Sequence, residues 1–264
     1  MTPVSPAMSR LGFGVSGPHS YFSVGRKKTI RLIRQAIDLG INVFDTAPLY
    51  GHGEAEKRLG SAIKGLDRSQ LNILTKAGVP RRNRRDFSPA GIEAEFHDSL
   101  KRLGTDYVDI LFLQGVATGE LTDELMSVLQ RIFDQGKAVE IGVSGRPPDL
   151  YPPLEHDLFG AVMAPVYKGM PDEHLALLAD QYAKNRLVVG IEAMSVAHRP
   201  LSFPRSGAQA FYLARRLLRQ TGPGGLHSAE EAMSWALKAP ACSTTLCLTT
   251  RSEHLRANAA LAGL

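Results

Sequence analysis

The sequence predicts an α/β fold, a (β/α)8 barrel of one domain over residues 1–264. Short runs rich in Val, Ile and Leu alternate with longer helical patterns, which is typical of βαβ units and a parallel sheet. Eight such strand–helix units follow one another, and eight parallel strands close a barrel. A doubly wound sheet would need a glycine-rich phosphate turn after its first strand, whereas the Gly12-Phe13-Gly14 stretch lies within a strand and lacks the third glycine.

The order of the elements follows from apolar periodicity and from stop signals. The predicted strands are residues 11–15, 41–45, 71–76, 108–113, 138–143, 160–165, 187–193 and 243–248. The predicted helices are residues 27–39, 54–63, 89–103, 122–135, 172–184, 208–219, 229–237 and 252–261. The third helix has the clearest ends, with Ser88 as N-cap, Pro89 at the first position and Gly104 as terminator. After the fifth strand, four prolines between residues 147 and 153 exclude a long regular helix.

Composition limits the class of protein. Apolar residues make up 44% and charged residues 22% of the chain, as in ordinary globular proteins. The sequence has no apolar run long enough to span a bilayer and no signal-peptide pattern, so we expect a cytoplasmic protein without a membrane partner. The two cysteines, Cys242 and Cys247, have neither zinc nor redox spacing, and we expect buried thiols and no metal.

The net charge of +5 and the pI near 9.3 raise the question of nucleic acid. The basic residues are spread along the chain except in the arginine-rich stretch at residues 81–85. No aromatic residues are interleaved there and no nucleic-acid motif is present, so we expect no nucleic-acid partner. The stretch is either a solvated loop or a guanidinium patch that attracts an anionic substrate or a cofactor phosphate.

Four side chains are predicted to meet at the carboxyl ends of neighbouring strands, where barrels place their active sites. Asp45, Lys76 and Gln114 end the second, third and fourth strands, and Tyr50 follows Asp45 in a turn marked by proline and glycine. In a cleft of low dielectric, Lys76 would lower the pKa of Tyr50, and Asp45 would keep the lysine charged and oriented. Such a phenol can donate a proton to a carbonyl oxygen as hydride arrives at its carbon.

Two simpler interpretations remain open at this point. A strand-end Asp or Lys is often half of a structural ion pair, although joint placement with Tyr50 argues against that. Lys76 could instead be the Schiff-base nucleophile of a barrel aldolase. That alternative explains the lysine but gives Asp45 and Tyr50 no special task.

These motifs resemble those of the aldo-keto reductases, a family of nicotinamide-dependent (β/α)8 carbonyl reductases. The resemblance is most specific over residues 40–51 (GINVFDTAPLYG) and 74–76 (LTK), where Asp45, Tyr50 and Lys76 take the positions of the family's catalytic Asp, Tyr and Lys. It continues through residues 99–109, 136–144 and 253–258. Gln114 stands where the family has its catalytic His. Glutamine can donate a hydrogen bond to a carbonyl oxygen, but it does not carry protons as an imidazole does.

The resemblance also implies a site for NADP, with NAD as the alternative. The implied cofactor-binding residues are Ser144, Gly145, Met163, Met194, Leu248, Thr249, Thr250, Arg251, His254 and Asn258. Gly145 and Met163 stand where the family has the Asn and Gln that bind the carboxamide. Met194 takes the place of the aromatic residue that stacks on nicotinamide. Leu248 replaces a small or basic residue near the phosphates, and His254 replaces the arginine that often binds a 2′-phosphate.

The sequence therefore predicts an NAD(P)H-dependent reductase of a small-molecule aldehyde or ketone, acting as a monomer or weak homodimer. The first alternative is a barrel that has lost nicotinamide binding and uses the same acid–base residues for isomerisation, elimination or cyclisation. The second is a non-catalytic binding subunit on the same fold. Nicotinamide binding distinguishes the first hypothesis from the other two.

Overall fold

Eight parallel strands close into one barrel. The computed structural model describes residues 3–79, 84–150, 152–197, 207, 210–211, 213, 227–239 and 241–264. The strands are β1 (Leu11–Gly14), β2 (Val43–Asp45), β3 (Asn72–Ala77), β4 (Val108–Gln114), β5 (Ala138–Ser144), β6 (Phe159–Pro165), β7 (Leu187–Ile191) and β8 (Thr244–Cys247). Each strand pairs with its sequence neighbours, and β1 pairs with β8, so the sheet has no edge. The predicted fold class is confirmed.

Helices surround the barrel within the described residues. They are α1 (Arg26–Asp38), α2 (Glu54–Ile63), α3 (Pro89–Leu103), α4 (Asp123–Asp134), α5 (Asp172–Ala183), α6 (Ala229–Lys238) and α7 (Ser252–Leu261). Between β5 and β6 the described residues form only a 3-10 turn, Pro153–Glu155, as the prolines predict. The predicted helix at 208–219 lies largely outside the described residues.

Two apolar layers hold these elements together. The outer layer packs the helices onto the strands and contains most of the buried side chains. The inner layer fills the barrel with one set of inward-facing residues from the strands, namely Val43, Leu74, Ile110, Phe112, Ala161, Met163, Val189 and Leu246. The barrel is therefore a packed core, and ligands have access only to its ends.

A buried carboxylate joins neighbouring segments near the amino end of the barrel. Asp109, 1% exposed, accepts hydrogen bonds from Ser5 Oγ at 2.6 Å, Arg68 Nη2 at 2.7 Å and the Ile73 N–H at 2.7 Å. The guanidinium of Arg68 also lies 4.1 Å from the centre of the Tyr107 ring. This cluster joins the N-terminal segment to β3 and β4 at the end opposite the predicted site.

Most predicted elements have the observed type, with ends shifted by one or two residues. The predicted bounds of α2, α3 and α7 agree with the structure. Both cysteines are buried free thiols, as expected. Among the residues that the structure describes, no helix has the length and apolarity needed to cross a membrane.

Candidate active site

The turn after β2 presents Tyr50 at the carboxyl end of the barrel. Gly51 and Gly53 have φ values of 64° and 82°, in the left-handed region that glycine adopts at low cost. A Cβ atom at Gly51 would collide with the carbonyl oxygen of Ser20 in the loop after β1. The turn is thus packed tightly against that loop before α2 begins at Glu54.

Asp45, Tyr50 and Lys76 come together at this end of the barrel. Lys76 Nζ donates a hydrogen bond to Asp45 Oδ1 and a second one, at 2.9 Å, to the carbonyl oxygen of Thr46. The same ammonium lies 5.3 Å from the centre of the Tyr50 ring. Lys76 is 3% exposed and Asp45 is 5% exposed, whereas Tyr50 is half-buried and retains contact with solvent. The accessible group of the three is therefore the phenol.

Burial and charge act in opposite directions on this cluster. Burial raises the pKa of Asp45, and the charge of Lys76 opposes that effect. Burial alone would lower the pKa of Lys76, but Asp45 and Tyr50 outweigh it and raise the lysine pKa above its usual value. Lys76 is thus a lasting positive charge beside the phenol, and a nearby cation favours the phenolate form of a tyrosine.

A buried glutamate supports the cluster from outside the barrel. Glu56 on α2 is fully buried, and it accepts hydrogen bonds from Thr75 Oγ1 at 2.8 Å and from Arg102 Nε at 2.5 Å. Thr75 precedes Lys76 in β3, so its side chain points to the opposite face of the strand. Glu56 therefore ties the helix that follows the Tyr50 turn to the strand that carries Lys76.

Gln114, Ser144 and Met163 lie side by side on β4, β5 and β6. Gln114 pairs in register with Ser144, and Ser144 pairs with Met163. Within the described part of the chain, the side chains of Gln114 and Ser144 form no hydrogen bond with other protein groups. Met163 is 1% exposed and belongs to the inner apolar layer of the barrel. Two unpaired polar groups thus lie at the mouth beside a methionine that belongs to the packed interior of the barrel.

An ion pair joins the segments that follow β5 and β7. Gly145 follows β5 and donates its N–H to the Met163 carbonyl at 3.1 Å. Arg146 then contacts both carboxylate oxygens of Glu192 at 2.5 Å, across the end of β6. Met194 is half-buried and packs against the outer core two residues beyond Glu192.

The loop between β8 and α7 carries the remaining predicted residues. Leu248 lies beside Gly17 of the loop after β1, where an added Cβ would be 3.7 Å from Leu248 Cδ1. Thr249 is buried, and its Oγ1 accepts the Arg251 N–H at 3.2 Å. Thr250 is half-buried and follows it in the loop. The Arg251 side chain bonds to Glu253 Oε1 at 2.7 Å.

The last two predicted residues lie on α7. His254 is exposed in the first turn, and Asn258 is half-buried one turn later. Asn258 forms a hydrogen bond with the thiol of Cys247 at the end of β8. The N-cap residue Arg251 does not cap α7 through its side chain, and the carboxylate of Glu253 in the first turn accepts its own backbone N–H.

The arginine-rich stretch is described only in part, since residues 80–83 lie outside the described residues. Arg85 donates to the Gly115 carbonyl at 2.6 Å and to Glu120 Oε2 at 2.5 Å. One guanidinium of the stretch is thus engaged in linking the loop after β3 to the loop after β4.

Comparisons with known proteins identify the family of the chain. The model of the Aldo/keto reductase family matches residues 10–263. The chain belongs to the aldo/keto reductase family. An L-galactose dehydrogenase of Arabidopsis thaliana is 32% identical over 245 residues, which cover 88% of this chain and 70% of the plant protein. For the two curated relatives that follow it, the match covers half of their own length or less.

Solved structures of the family share the fold. The holo form of an aldo-keto reductase of Bacillus halodurans has a TM-score of 0.75 at 25% identity, covering 100% of this chain and 91% of that one. An aldo-keto reductase of Klebsiella pneumoniae, solved in complex with NADPH, has a TM-score of 0.69 at 22% identity, covering 98% of this chain and 86% of that one. As a member of this family, the chain is an NAD(P)H-dependent oxidoreductase, and the resemblance inferred from its motifs is confirmed.

Two buried residues behind the site of this reductase lie outside the predicted set. Glu56 falls three residues before Leu59 and seven before Ile63 on the apolar face of α2, so a charge on that stripe is a signal that helical periodicity could have detected. His19, in the loop after β1, is 0% exposed. A single histidine in a loop is usually solvated, and its burial here depends on segments far away in the sequence.

Proposed function

We propose that the protein transfers hydride between NADPH and the carbonyl carbon of a small aldehyde or ketone, or in the reverse direction, with Tyr50 as the general acid. The observation that carries this proposal is the buried Lys76–Asp45 pair beside the accessible phenol of Tyr50. A structural ion pair alone would not explain why a tyrosine is held over the ammonium at the mouth of the barrel.

Each side chain of the cluster has a distinct task. Asp45 keeps Lys76 charged and in place, and Thr46 supplies the second acceptor for the ammonium. Lys76 stabilises negative charge on the Tyr50 oxygen, so the phenol releases its proton to the substrate oxygen more readily. Gln114 donates an amide N–H to the same oxygen and helps to polarise the carbonyl. A bound nicotinamide supplies or accepts the hydride.

The residues at the mouth fit a nicotinamide ring. Its carboxamide needs both a donor and an acceptor, and Ser144 provides a hydroxyl that has no other partner among the described residues. Leu150 packs beside Gly145, and the half-buried Met194 offers apolar, polarisable surface to the ring, while Met163 supports the site from within the barrel.

The adenosine and phosphate groups of NADPH would lie along the loop between β8 and α7. Thr250 and the remaining N–H groups at the start of α7 would donate to phosphate oxygens, and Arg251 would add its guanidinium on exchanging Glu253 for a phosphate. His254 and Asn258 would line the adenosine side, while Thr249 holds the loop itself and Leu248 packs against the loop after β1.

The substrate class that we propose is a small carbonyl compound or the hemiacetal of a sugar. One relative is named for L-galactose, and the cyclic hemiacetal of an aldose has the C1–H and the C1 hydroxyl from which NADP and Tyr50 would take hydride and proton, leaving a lactone. We further propose that the enzyme acts as a monomer or weak dimer in the cytoplasm.

The test begins with cofactor binding. Purified protein is titrated with NADPH and with NADH, by quenching of its fluorescence and by thermal shift, because binding to the folded state alone raises the melting temperature. NADPH is expected to bind, and absence of binding of either nucleotide at about millimolar concentration would refute the proposal. Turnover is then measured on short-chain aldehydes with NADPH and on aldoses with NADP.

The Tyr50→Phe variant tests the chemistry separately. It should bind NADPH as the wild type does but lose about 100- to 10,000-fold in kcat, the usual contribution of general acid catalysis. Tyr182→Phe, on the surface of α5 with 46% exposure, is the matched control and should keep full activity. Undiminished turnover by Tyr50→Phe would remove the phenol from the mechanism.

A further inference from the structure

His19 is a fully buried histidine that the proposed chemistry does not use. Its Nδ1 lies 3.2 Å from Thr29 Oγ1 on α1, and its Nε2 lies 2.8 Å from the carbonyl oxygen of Thr249. The ring also packs 5.5 Å from the ring of Phe13, centre to centre. One side chain thus joins the loop after β1, helix α1 and the loop between β8 and α7.

The direction of these hydrogen bonds follows from their partners. A carbonyl oxygen can only accept, so Nε2 carries the proton that is donated to Thr249. Thr29 Oγ1 accepts from Arg58 Nη1 at 3.3 Å, which leaves its own proton for Nδ1 of His19. With the imidazole neutral, a continuous relay of donors therefore runs from Arg58 through Thr29 and His19 to Thr249.

The surroundings keep the imidazole neutral. Burial lowers the pKa of His19 to about 4, and the positive charges of Arg58 and Lys28 act in the same direction, against the Thr249 carbonyl. At neutral pH the ring is therefore an uncharged connector that does not exchange protons with the active site.

Each end of the relay is attached to a functional segment. Arg58 lies on α2, which begins four residues after Tyr50, and its Nε pairs with Glu54 at 2.9 Å. At the other end, Thr249 is held through its carbonyl by His19 and through its hydroxyl by the Arg251 N–H. These two bonds determine the path of the chain into the N-terminus of α7.

We propose that His19 is a positioning residue for cofactor binding, which fixes the loop between β8 and α7 in the conformation that receives the phosphates of NADPH. This inference rests on the proposed function, because it assigns a task to that loop only if the dinucleotide binds there. It assigns no step in hydride or proton transfer to His19. Loss of the relay should therefore weaken NADPH binding and leave kcat at saturating NADPH nearly unchanged.

The experiment compares His19→Leu with His19→Gln. Leucine removes the donor and leaves the buried Thr249 carbonyl without a partner, whereas the amide of glutamine can still donate to that carbonyl. In His19→Leu we expect the loop to leave this conformation so that water reaches the Thr249 carbonyl, which would lower the binding-competent population and raise the Kd for NADPH about 10-fold, with recovery in His19→Gln. His174→Leu, on α5, is the matched control and should bind NADPH as the wild type does.

A second pair of variants covers the case in which His19→Leu does not fold. Thr29→Val breaks the same relay by removing the partner of Nδ1, and Thr29→Ser retains the hydroxyl. Thr29→Val should weaken NADPH binding while Thr29→Ser does not. The kcat on the aldehyde that the wild type turns over best, at saturating NADPH, should change less than about 2-fold in all folded variants, because no group of the reacting set is altered.

The results separate the two proposals. If the wild type itself binds no NADPH, the proposed function fails. If the wild type binds NADPH and folded His19→Leu or Thr29→Val binds it equally well, the inference about His19 is overturned. Equal weakening in His19→Leu and His19→Gln, or a fall in kcat with an unchanged Kd, would overturn it as well.

Discussion

The buried pair of Asp45 and Lys76 permits a quantitative test by a double-mutant cycle. The two side chains are only 7% and 3% exposed, so each charge has lost nearly all of its hydration. Removing one partner leaves an uncompensated buried charge, which costs about 3–5 kcal/mol. Asp45→Asn and Lys76→Met should each lower the free energy of unfolding by about this amount. The double variant buries neither charge, and we expect it to be more stable than either single variant.

The coupling energy is the quantity to measure. If each single change costs about 3 kcal/mol and the double variant costs no more than one of them, the coupling energy is about 3 kcal/mol. Urea unfolding at pH 7 provides the free energies, followed by the fluorescence of the single tryptophan, Trp235. All three variants should be catalytically impaired, whatever their stability.

A surface pair provides the matched control. Asp180 of α5 and Lys184, the residue that follows this helix, form an i,i+4 pair at 2.8 Å, with side chains that are more than half exposed. The corresponding cycle of Asp180→Asn and Lys184→Met should give a coupling energy of about 0.3–0.5 kcal/mol. If the cycle of Asp45 and Lys76 gives a value as small as this, the catalytic pair is hydrated in solution and the reasoning about its buried charge is wrong.

Three further predictions concern other buried or strand-end groups. Glu95 accepts the Gly78 N–H at 2.8 Å, and burial raises its pKa from 4.5 to about 7. A carboxyl with a raised pKa contributes stability that is complete below pH 4.5 and is lost as the pH rises through 7, so Glu95→Gln should stabilise the protein at pH 8 by about 1–2 kcal/mol after allowance for partial exposure. No gain in thermal stability at pH 8 relative to pH 5 would contradict this. Gln114→His should add an ionisation near pH 6.5 to the profile of kcat/KM, and an unchanged profile would show that this position does not contact the reacting oxygen. Asp109→Ala leaves Arg68 its bonds to the Leu71 and Tyr107 carbonyls but removes the acceptor of the buried Ile73 N–H, so it should cost about 1–3 kcal/mol in urea unfolding while the folded fraction keeps its activity.

The ends of helices and strands can be predicted from the sequence where neighbouring residues in the chain determine them. Helix α3 begins and ends as predicted because Ser88 caps it, accepting the Gly91 N–H at 3.1 Å, and Gly104 adopts a φ of 67° at its end. Where a helix C-terminal motif extends into the expected strand, the predicted start is wrong by two residues, as after Gly40, which has a φ of 86°. The N–H of Ile41 bonds to Ala36 at the end of α1, so β2 begins only at Val43.

The end of β7 has a similar cause. The apolar run predicts a strand to residue 193, but Glu192 adopts a φ of 61° directly after Ile191, and the strand stops there. Glutamate at this position carries no local signal for a left-handed conformation, unlike glycine or asparagine.

In the candidate site, too, some residues can be predicted from their local sequence, whereas others depend on distant parts of the chain. Asp45, Tyr50 and Lys76 can be predicted because each follows from its place at or just beyond a strand end. The role of His19 cannot, because its partner Thr249 is 230 positions away in the sequence. Glu56 is an intermediate case, since its place on the apolar stripe of α2 is visible in the sequence but its partner Arg102 is not.

The close contact between Gly51 and the Ser20 carbonyl has a consequence for altering the enzyme's specificity. Loops at the carboxyl end of a barrel are the usual places for grafting and randomisation, because they form the substrate pocket and tolerate changes in length. Here the loop after β1 rests directly on the turn that holds Tyr50, and a single Cβ at Gly51 would separate them. A library that varies residues 18–23 would therefore alter the position of the acid together with the shape of the pocket. Variation is safer in the loop after β4, which is joined to its neighbour through the surface contacts of Arg85.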